Sequence, residues 1–364
     1  MKKLDWYILK KFLGTFFFSI ILFTIISVVV DASEKTDDFV KSGLSTREIF
    51  TTYYAGFVPY IIALLFPLFV LIAVIFFTSK MAMKSELIAI LASGTKFNRM
   101  MRPYLIGGIS LGLLLLLGAN YVIPKANEIR TTFEARYVNG NSSYNPLVEG
   151  RNRSMYFRID SFTYAGVRNY DTAAKSGGPF FMHRIKNNHL TYNLRAEVIR
   201  WDTALNKWIL QSAIERTIDS LHEKVSLQQK KQMSFNFKPF DLSHDEYAKD
   251  KLTTPELYSF LQLERLRGAE DLNALEVETY RRIATPIAVI ILTMIGAVIA
   301  SRKVRGGSGA HIAIGIVLAA TFILMDRFST IFSTKGNLPP YIAAWIPDFI
   351  FIFVAIYVYK RAPK

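Results

Sequence analysis

Residues 79–102 read SKMAMKSELIAILASGTKFNRMMR. This short basic run is wedged between two long apolar stretches, roughly 50–78 and 104–123. Both stretches reach the length of about 20 residues that crosses a bilayer core. The run is therefore the turn between two membrane spans, and its lysines and arginines put it on the cytoplasmic side. Within it Leu87, Ile90, Leu91 and Phe97 fall near the i, i+3, i+4 spacing of an amphipathic helix over about 82–94. Glu86 lies beside that face, and Gly94 suits a C-cap. A helix lying on the membrane surface is what a membrane subunit needs to dock a soluble motor. The plainer reading is a basic cytoplasmic loop and nothing more.

Four further apolar runs lie outward from this point, roughly at 12–30, 283–300, 310–328 and 341–359, giving about six spans. The first follows Lys2, Lys3, Lys10 and Lys11 and is too long for the core of a cleaved signal peptide, so it reads as a retained anchor. Gly108 and Gly112 in the third span make a small-xxx-small step suited to close helix packing. The N-terminus, residues 79–102, Arg302-Lys303-Val304-Arg305 and Lys360-Arg361 are all basic and fall on one side if the spans number six. The mixed-charge loop 31–49 and the loop 329–340 then lie outside. The 364 residues carry a formal charge of +15, and 51% of them are hydrophobic. Basic charge alone could point to nucleic acid, but the apolar blocks favour a membrane protein with basic loops. Cysteine is absent, which excludes disulfides and thiolate metal sites.

Between spans three and four lie about 150 mostly polar residues, too many for a structureless loop. Met155–Ile159 alternates, and Ala196–Trp201, a polar turn at Asp202–Lys207 and Trp208–Leu210 read as a β-hairpin. Ser234-Phe235-Asn236-Phe237 alternates again and is predicted as a further strand. The segment folds as an antiparallel β domain, a sandwich or an open barrel. Asp171–Gly178 is small and polar and is predicted to be a mobile loop. Thr254-Pro255-Glu256 starts a helix that leads back to span four. The predicted organisation is membrane residues 1–124, an inserted β domain at 125–275 and membrane residues 276–364.

An enzyme reading finds little support. Arg305-Gly306-Gly307-Ser308-Gly309 lacks the ending of a phosphate-binding loop and reads as a tight turn. The five histidines, His183, His189, His222, His244 and His311, form no zinc spacing, and His183 and His189 read as surface residues of the β domain. The acid pair Asp245-Glu246 reads as solvated. No cofactor, metal or catalytic constellation is expected. Charges at membrane depth are the better lead, because burying them is costly. Arg281 and Arg282 sit at the outer end of span four, Asp326 and Arg327 near the outer end of span five, and Asp348 inside span six. The plain readings are interfacial snorkelling for the arginines and mutual pairing of Asp326 with Arg327. The functional reading is a basic rim that holds the phosphates of an anionic lipid.

Three motifs carry a resemblance. Glu86–Gly94 (ELIAILASG) is similar to the coupling-helix motif of the LptF/LptG permeases, the YjgP/YjgQ family of the lipopolysaccharide export ABC transporter. Arg282-Ile283-Ala284-Thr285-Pro286 opening span four, and Gly336–Pro347 (GNLPPYIAAWIP) before span six, resemble the same family. The order of three spans, β domain and three spans agrees as well. The resemblance implies an α-helical membrane protein of the bacterial inner membrane, with about six spans and a periplasmic β-jellyroll between helices 3 and 4. It implies a second permease of the same family, a cytoplasmic LptB-like ATPase dimer that supplies the energy, and LptC/LptA-like periplasmic bridge proteins. Lipopolysaccharide would enter sideways into an apolar cavity, with Phe66 as a wall residue and Lys41, Arg281, Arg282 and Arg327 facing its phosphates. Glu86, Leu87, Ile90, Leu91 and Gly94 would couple to the ATPase. Ala92-Ser93-Gly94 and Asp38–Gly43 look more LptG-like than LptF-like. Two other classes stay open, a non-transporting scaffold that signals across the membrane and a lipid-modifying membrane enzyme.

Overall fold

The computed structural model describes residues 3–138, 155–171, 174–219, 222–242, 248–267, 272–302 and 308–362. The turn expected at 305–309, His244 and Asp245-Glu246 fall largely or wholly outside them. The chain divides into two compact units, one of Met1–Arg130, Lys249–Leu257 and Asn273–Lys364, the other of Thr131–Ala248 and Tyr258–Leu272.

The first unit is helical. Its long α1 (Lys3–Glu34) runs on past the apolar stretch into the acidic residues beyond it. The segment expected as a loop at 31–49 is largely helical instead, as α2 (Thr36–Ser42) and α3 (Thr46–Ile49). Local chemistry accounts for the difference. Gly43 closes α2 in the left-handed region at φ 67°, and Ser45 and Glu48 form a reciprocal capping box that starts α3. Asp31, buried at the end of α1, accepts a hydrogen bond from the Tyr53 hydroxyl at 3.0 Å and an ion pair from Lys35 at 3.1 Å.

A π-helical turn at Phe50–Tyr54 leads into α4 (Ala55–Met83). The short α5 (Glu86–Ala92) follows, then α6 (Phe97–Leu117), a second π turn at Gly118–Val122 and α7 (Ile123–Phe133), which ends in a third at Glu134–Val138. Short α8 (Ala248–Lys251) precedes α9 (Thr254–Arg267), whose Thr253 caps it by donating backbone and hydroxyl hydrogen bonds to Glu256. Then come α10 (Leu272–Ala300), α11 (Ser308–Thr334) and α12 (Pro340–Lys360), the last begun by Pro340. Among the described residues six helical stretches are long and apolar enough to cross a membrane.

Two glycines let helix backbones approach closely. A Cβ at Gly56 of α4 would lie 2.4 Å from the Ala126 carbonyl oxygen, and one at Gly112 of α6 would lie 2.8 Å from that of Pro286 in α10. Gly108 faces Thr293, so the small-xxx-small step is an α6–α10 contact. Two apolar cores fill the bundle, one where α1, α4 and α6 meet (Phe12, Phe16, Phe66, Tyr104) and one among α4, α10, α11 and α12 (Leu71, Ile295, Phe322, Phe351).

The second unit contains eight antiparallel strands in one sheet, counted over the described residues. They are β1 (Met155–Asp160), β2 (Thr163–Val167), β3 (Ser176–Gly177), β4 (Phe180–Lys186), β5 (His189–Ala196), β6 (Val198–Asp202), β7 (Lys207–Asp219) and β8 (His222–Met233). The order is β1-β2-β4-β5-β7-β6-β3, with β8 along the other side of β7. β7 pairs β6 through Gln211 and β5 from Ile214 onward, and Ser212 turns between the two with φ 52°. The expected hairpin is present, with Trp201 opposite Trp208.

Two expectations change here. Ser234–Phe237 is not a strand, although Phe237 is buried against Trp208 and its carbonyl accepts the indole N–H at 2.9 Å. The strand lies just before it, in the polar β8. Asp171–Gly178 is also not wholly a loop, because Ser176-Gly177 pairs with β6 and Asp171 bridges back to Ser176. One face of the sheet carries a buried apolar core that includes Phe180, Leu194, Trp208 and Leu210. Glu215 closes one end of that face, ion-paired with Lys231 and accepting from the Tyr192 hydroxyl, and these hydrogen bonds hold its carboxyl below the usual carboxylate range.

Candidate functional site

The helical unit contains a cavity of about 240 Å³. Its walls are apolar, with Ala63, Leu64 and Pro67 from α4, Leu115 from α6, Pro286 from α10 and Phe322 and Ile323 from α11. It also carries charge: Asp250 of α8, Glu278, Arg281 and Arg282 of α10, and Asp326 and Arg327 of α11. Three cations and three carboxylates therefore share one amphipathic space.

The two neighbouring arginines have different surroundings. Arg282 is only 5% exposed. Its guanidinium donates to the Thr254 hydroxyl at 3.0 Å, to the Lys249 and Leu252 carbonyls at 2.9 Å each, and to Glu278 at 3.2 Å. It therefore ties the Lys249–Thr254 segment to α10, and its donors are directed at protein. The Thr254 hydroxyl in turn donates to Asn120 at 2.6 Å, and the Asn127 amide donates to the Asp250 carbonyl at 3.1 Å. Arg281 is more open. It donates to Glu278 at 2.6 Å, and its second terminal nitrogen lies 3.8 Å from Asp326. Asp326 thus pairs with Arg281 across two helices, not with its sequence neighbour Arg327. The i, i+1 geometry of a helix explains this, since adjacent side chains point apart. Burial, and then the Glu278 carboxylate, push the Asp250 carboxyl above the usual range.

The remaining lipid candidates lie elsewhere. Lys41 is exposed in the last turn of α2 and does not line the cavity. Phe66 is 2% exposed and packs against Phe16 with ring centres 4.9 Å apart, while its neighbour Pro67 forms the wall. Sequence reasoning missed Tyr60, Asp250 and Glu278. Glu278 had a signal, an acid three and four residues before Arg281 and Arg282. Asp250 had none, since only folding brings it to α10. Among the described residues no group of three or more His, Cys, Asp or Glu side chains could hold a metal ion.

On the opposite membrane face α5 forms where the spacing places a helix. Gly94 adopts φ 80° and donates to the Leu91 carbonyl at 3.0 Å, ending the helix. Leu87 is 1% exposed, and Ile90 and Leu91 pack against the bundle core. The apolar face of α5 therefore seats the helix on its own protein, a burial that stabilises by about 1.5–3 kcal/mol for a residue such as Leu87. The outward surface is Ile88, 49% exposed, with Ala89 and Ala92. Glu86 accepts from the Tyr7 hydroxyl at 3.3 Å.

The profile of the family described as "Lipopolysaccharide export system permease LptF/LptG" matches residues 6–361, across both helical halves and the inserted sheet. The chain belongs to this family. It is 19% identical over 362 residues to the lipopolysaccharide export system permease protein LptG of Escherichia coli (strain K12), covering 97% of this chain and 98% of the relative. The LptG of Escherichia coli O6:H1 (strain CFT073) matches to the same extent. As an LptF/LptG permease with six apolar helices, the chain is a multi-pass inner-membrane protein whose sheet unit is periplasmic.

Proposed function

We propose that this chain is the permease subunit that draws lipopolysaccharide out of the inner membrane and passes it to a periplasmic bridge. One observation carries the reading: within an LptF/LptG chain, a cavity with apolar walls has Arg281 and Arg327 among its polar residues. Apolar walls suit acyl chains, and a guanidinium suits a lipid phosphate, which it can meet with two parallel hydrogen bonds. Lys41 and Phe66 act outside the cavity in this reading, Lys41 as an outlying cation and Phe66 by holding α1 against α4. The aromatic inner face of the sheet receives the acyl chains on the way out. Energy comes from a cytoplasmic ATPase dimer that docks on α5, with Glu86, Ile88 and Gly94 at the contact and Leu87, Ile90 and Leu91 fixing the helix beneath it. A second permease of the family completes the membrane path, and LptC/LptA-like proteins form the bridge.

Depletion of the chain in its host tests this. Newly made lipopolysaccharide should accumulate in the inner membrane and fall in the outer membrane. Normal delivery with an altered periplasmic enzyme activity would instead identify a signalling scaffold.

A further inference from the structure

We propose that Asp326 is a specificity-determining residue of the lipid site, a carboxylate that competes with the lipid's phosphate for Arg281 and ties α11 to α10 until cargo arrives. The inference rests on the cavity being the lipopolysaccharide site proposed above.

Arg281 has two acid partners of unequal quality. Glu278 lies on the same helix and is hydrogen-bonded at 2.6 Å. Asp326 lies on another helix at 3.8 Å, beyond hydrogen-bond range. A guanidinium carries five N–H donors in a planar fork. One edge is engaged by Glu278, and the nitrogen facing Asp326 is attracted without being hydrogen-bonded. A phosphate entering the cavity would offer that nitrogen charged oxygens at bonding distance, a stronger contact than the one it displaces. It would also meet Asp326 as a like charge.

The surroundings make Asp326 the partner that yields. Arg282, beside Arg281 in sequence, is held by backbone carbonyls and the Thr254 hydroxyl. Glu278 is held by both arginines, at 2.6 and 3.2 Å. Among the described residues, the carboxylate of Asp326 has the long contact to Arg281 as its one ion pair. An anionic lipid that takes Arg281 would therefore release α11 from α10. A lipid without phosphate would leave the pair in place.

The test uses the full chain purified with its co-expressed partners in nanodiscs. Equilibrium binding is measured for lipopolysaccharide and for the same glycolipid after enzymatic removal of its phosphates. Asp326→Asn should bind the phosphorylated form about three- to tenfold tighter, the range of one lost charge competitor at a partly exposed site. It should leave the dephosphorylated form unchanged, and Asp326→Glu should behave as wild type. Asp326→Ser reads the same quantity should Asp326→Asn fail to insert. Arg281→Gln should abolish discrimination between the two lipids. If it does, and removing the Asp326 carboxylate leaves the phosphorylated lipid bound equally or more weakly, the competition is wrong while the lipid site stands. Tightening for both lipids alike would also overturn it, since that reports a roomier cavity. If Arg281→Gln keeps full discrimination, the lipid site itself fails.

Discussion

Arg281 and Arg282 are adjacent in sequence and of one type, and their surroundings separate their roles. The buried Arg282 is bound to two backbone carbonyls, a hydroxyl and Glu278. Arg282→Gln would strand those acceptors, and removing one partner of a buried charged network costs about 3–5 kcal/mol. Its melting temperature in detergent should drop well below that of Arg281→Gln, which leaves Glu278 still paired with Arg282. Equal melting temperatures for the two variants would contradict the assignment of Arg282 to structure. The sequence shows that both arginines stand at a membrane boundary. It does not show which is held, because the Lys249–Thr254 carbonyls and hydroxyl come from some thirty residues upstream.

At the scale of elements, α5 shows how a correctly located helix can be read inside out. The spacing of Leu87, Ile90 and Leu91 marks an apolar face but does not say what covers it, and the bundle covers it. The two faces now make separable predictions. Leu87→Asp places a charge in the core and should lower the amount of inserted, folded protein. Ile88→Asp lies on the outward face and should leave insertion and melting temperature unchanged while reducing co-purification with the ATPase. Loss of insertion in both variants, or full ATPase recovery with Ile88→Asp, would remove Ile88 from the docking surface. The strands show a related limit. β1 and the β6–β7 hairpin are legible because one face alternates apolar residues. β8, HEKVSLQQKKQM, is mostly exposed and among the described residues pairs only β7, so its strand form comes from β7's backbone and not from its own pattern. Ser234–Phe237 alternates for another reason, since its phenylalanines plug the core from a loop.

For the whole molecule, the long apolar runs and the placement of lysine and arginine dictate the architecture of six spans with a sheet unit between the third and fourth. Both signals are properties of composition over tens of residues and survive without detailed packing. The cavity was half legible, since its arginines stand out at membrane depth while Asp250 and Tyr60 reach it only through tertiary contacts. The charge rule also fixes orientation, which the absence of cysteine makes simple to check. Cysteines placed singly at Ala204, in the exposed β6–β7 turn, and at Lys96, exposed just before α6, report opposite sides. In intact spheroplasts a membrane-impermeant maleimide should label Ala204→Cys and not Lys96→Cys. After the membrane is opened with detergent both should react, which shows that Lys96→Cys was shielded by the bilayer and not by burial. Labelling of Lys96→Cys before permeabilisation, with Ala204→Cys silent, would invert the molecule and place the sheet unit in the cytoplasm, where no acyl chain leaving for the outer membrane could meet it.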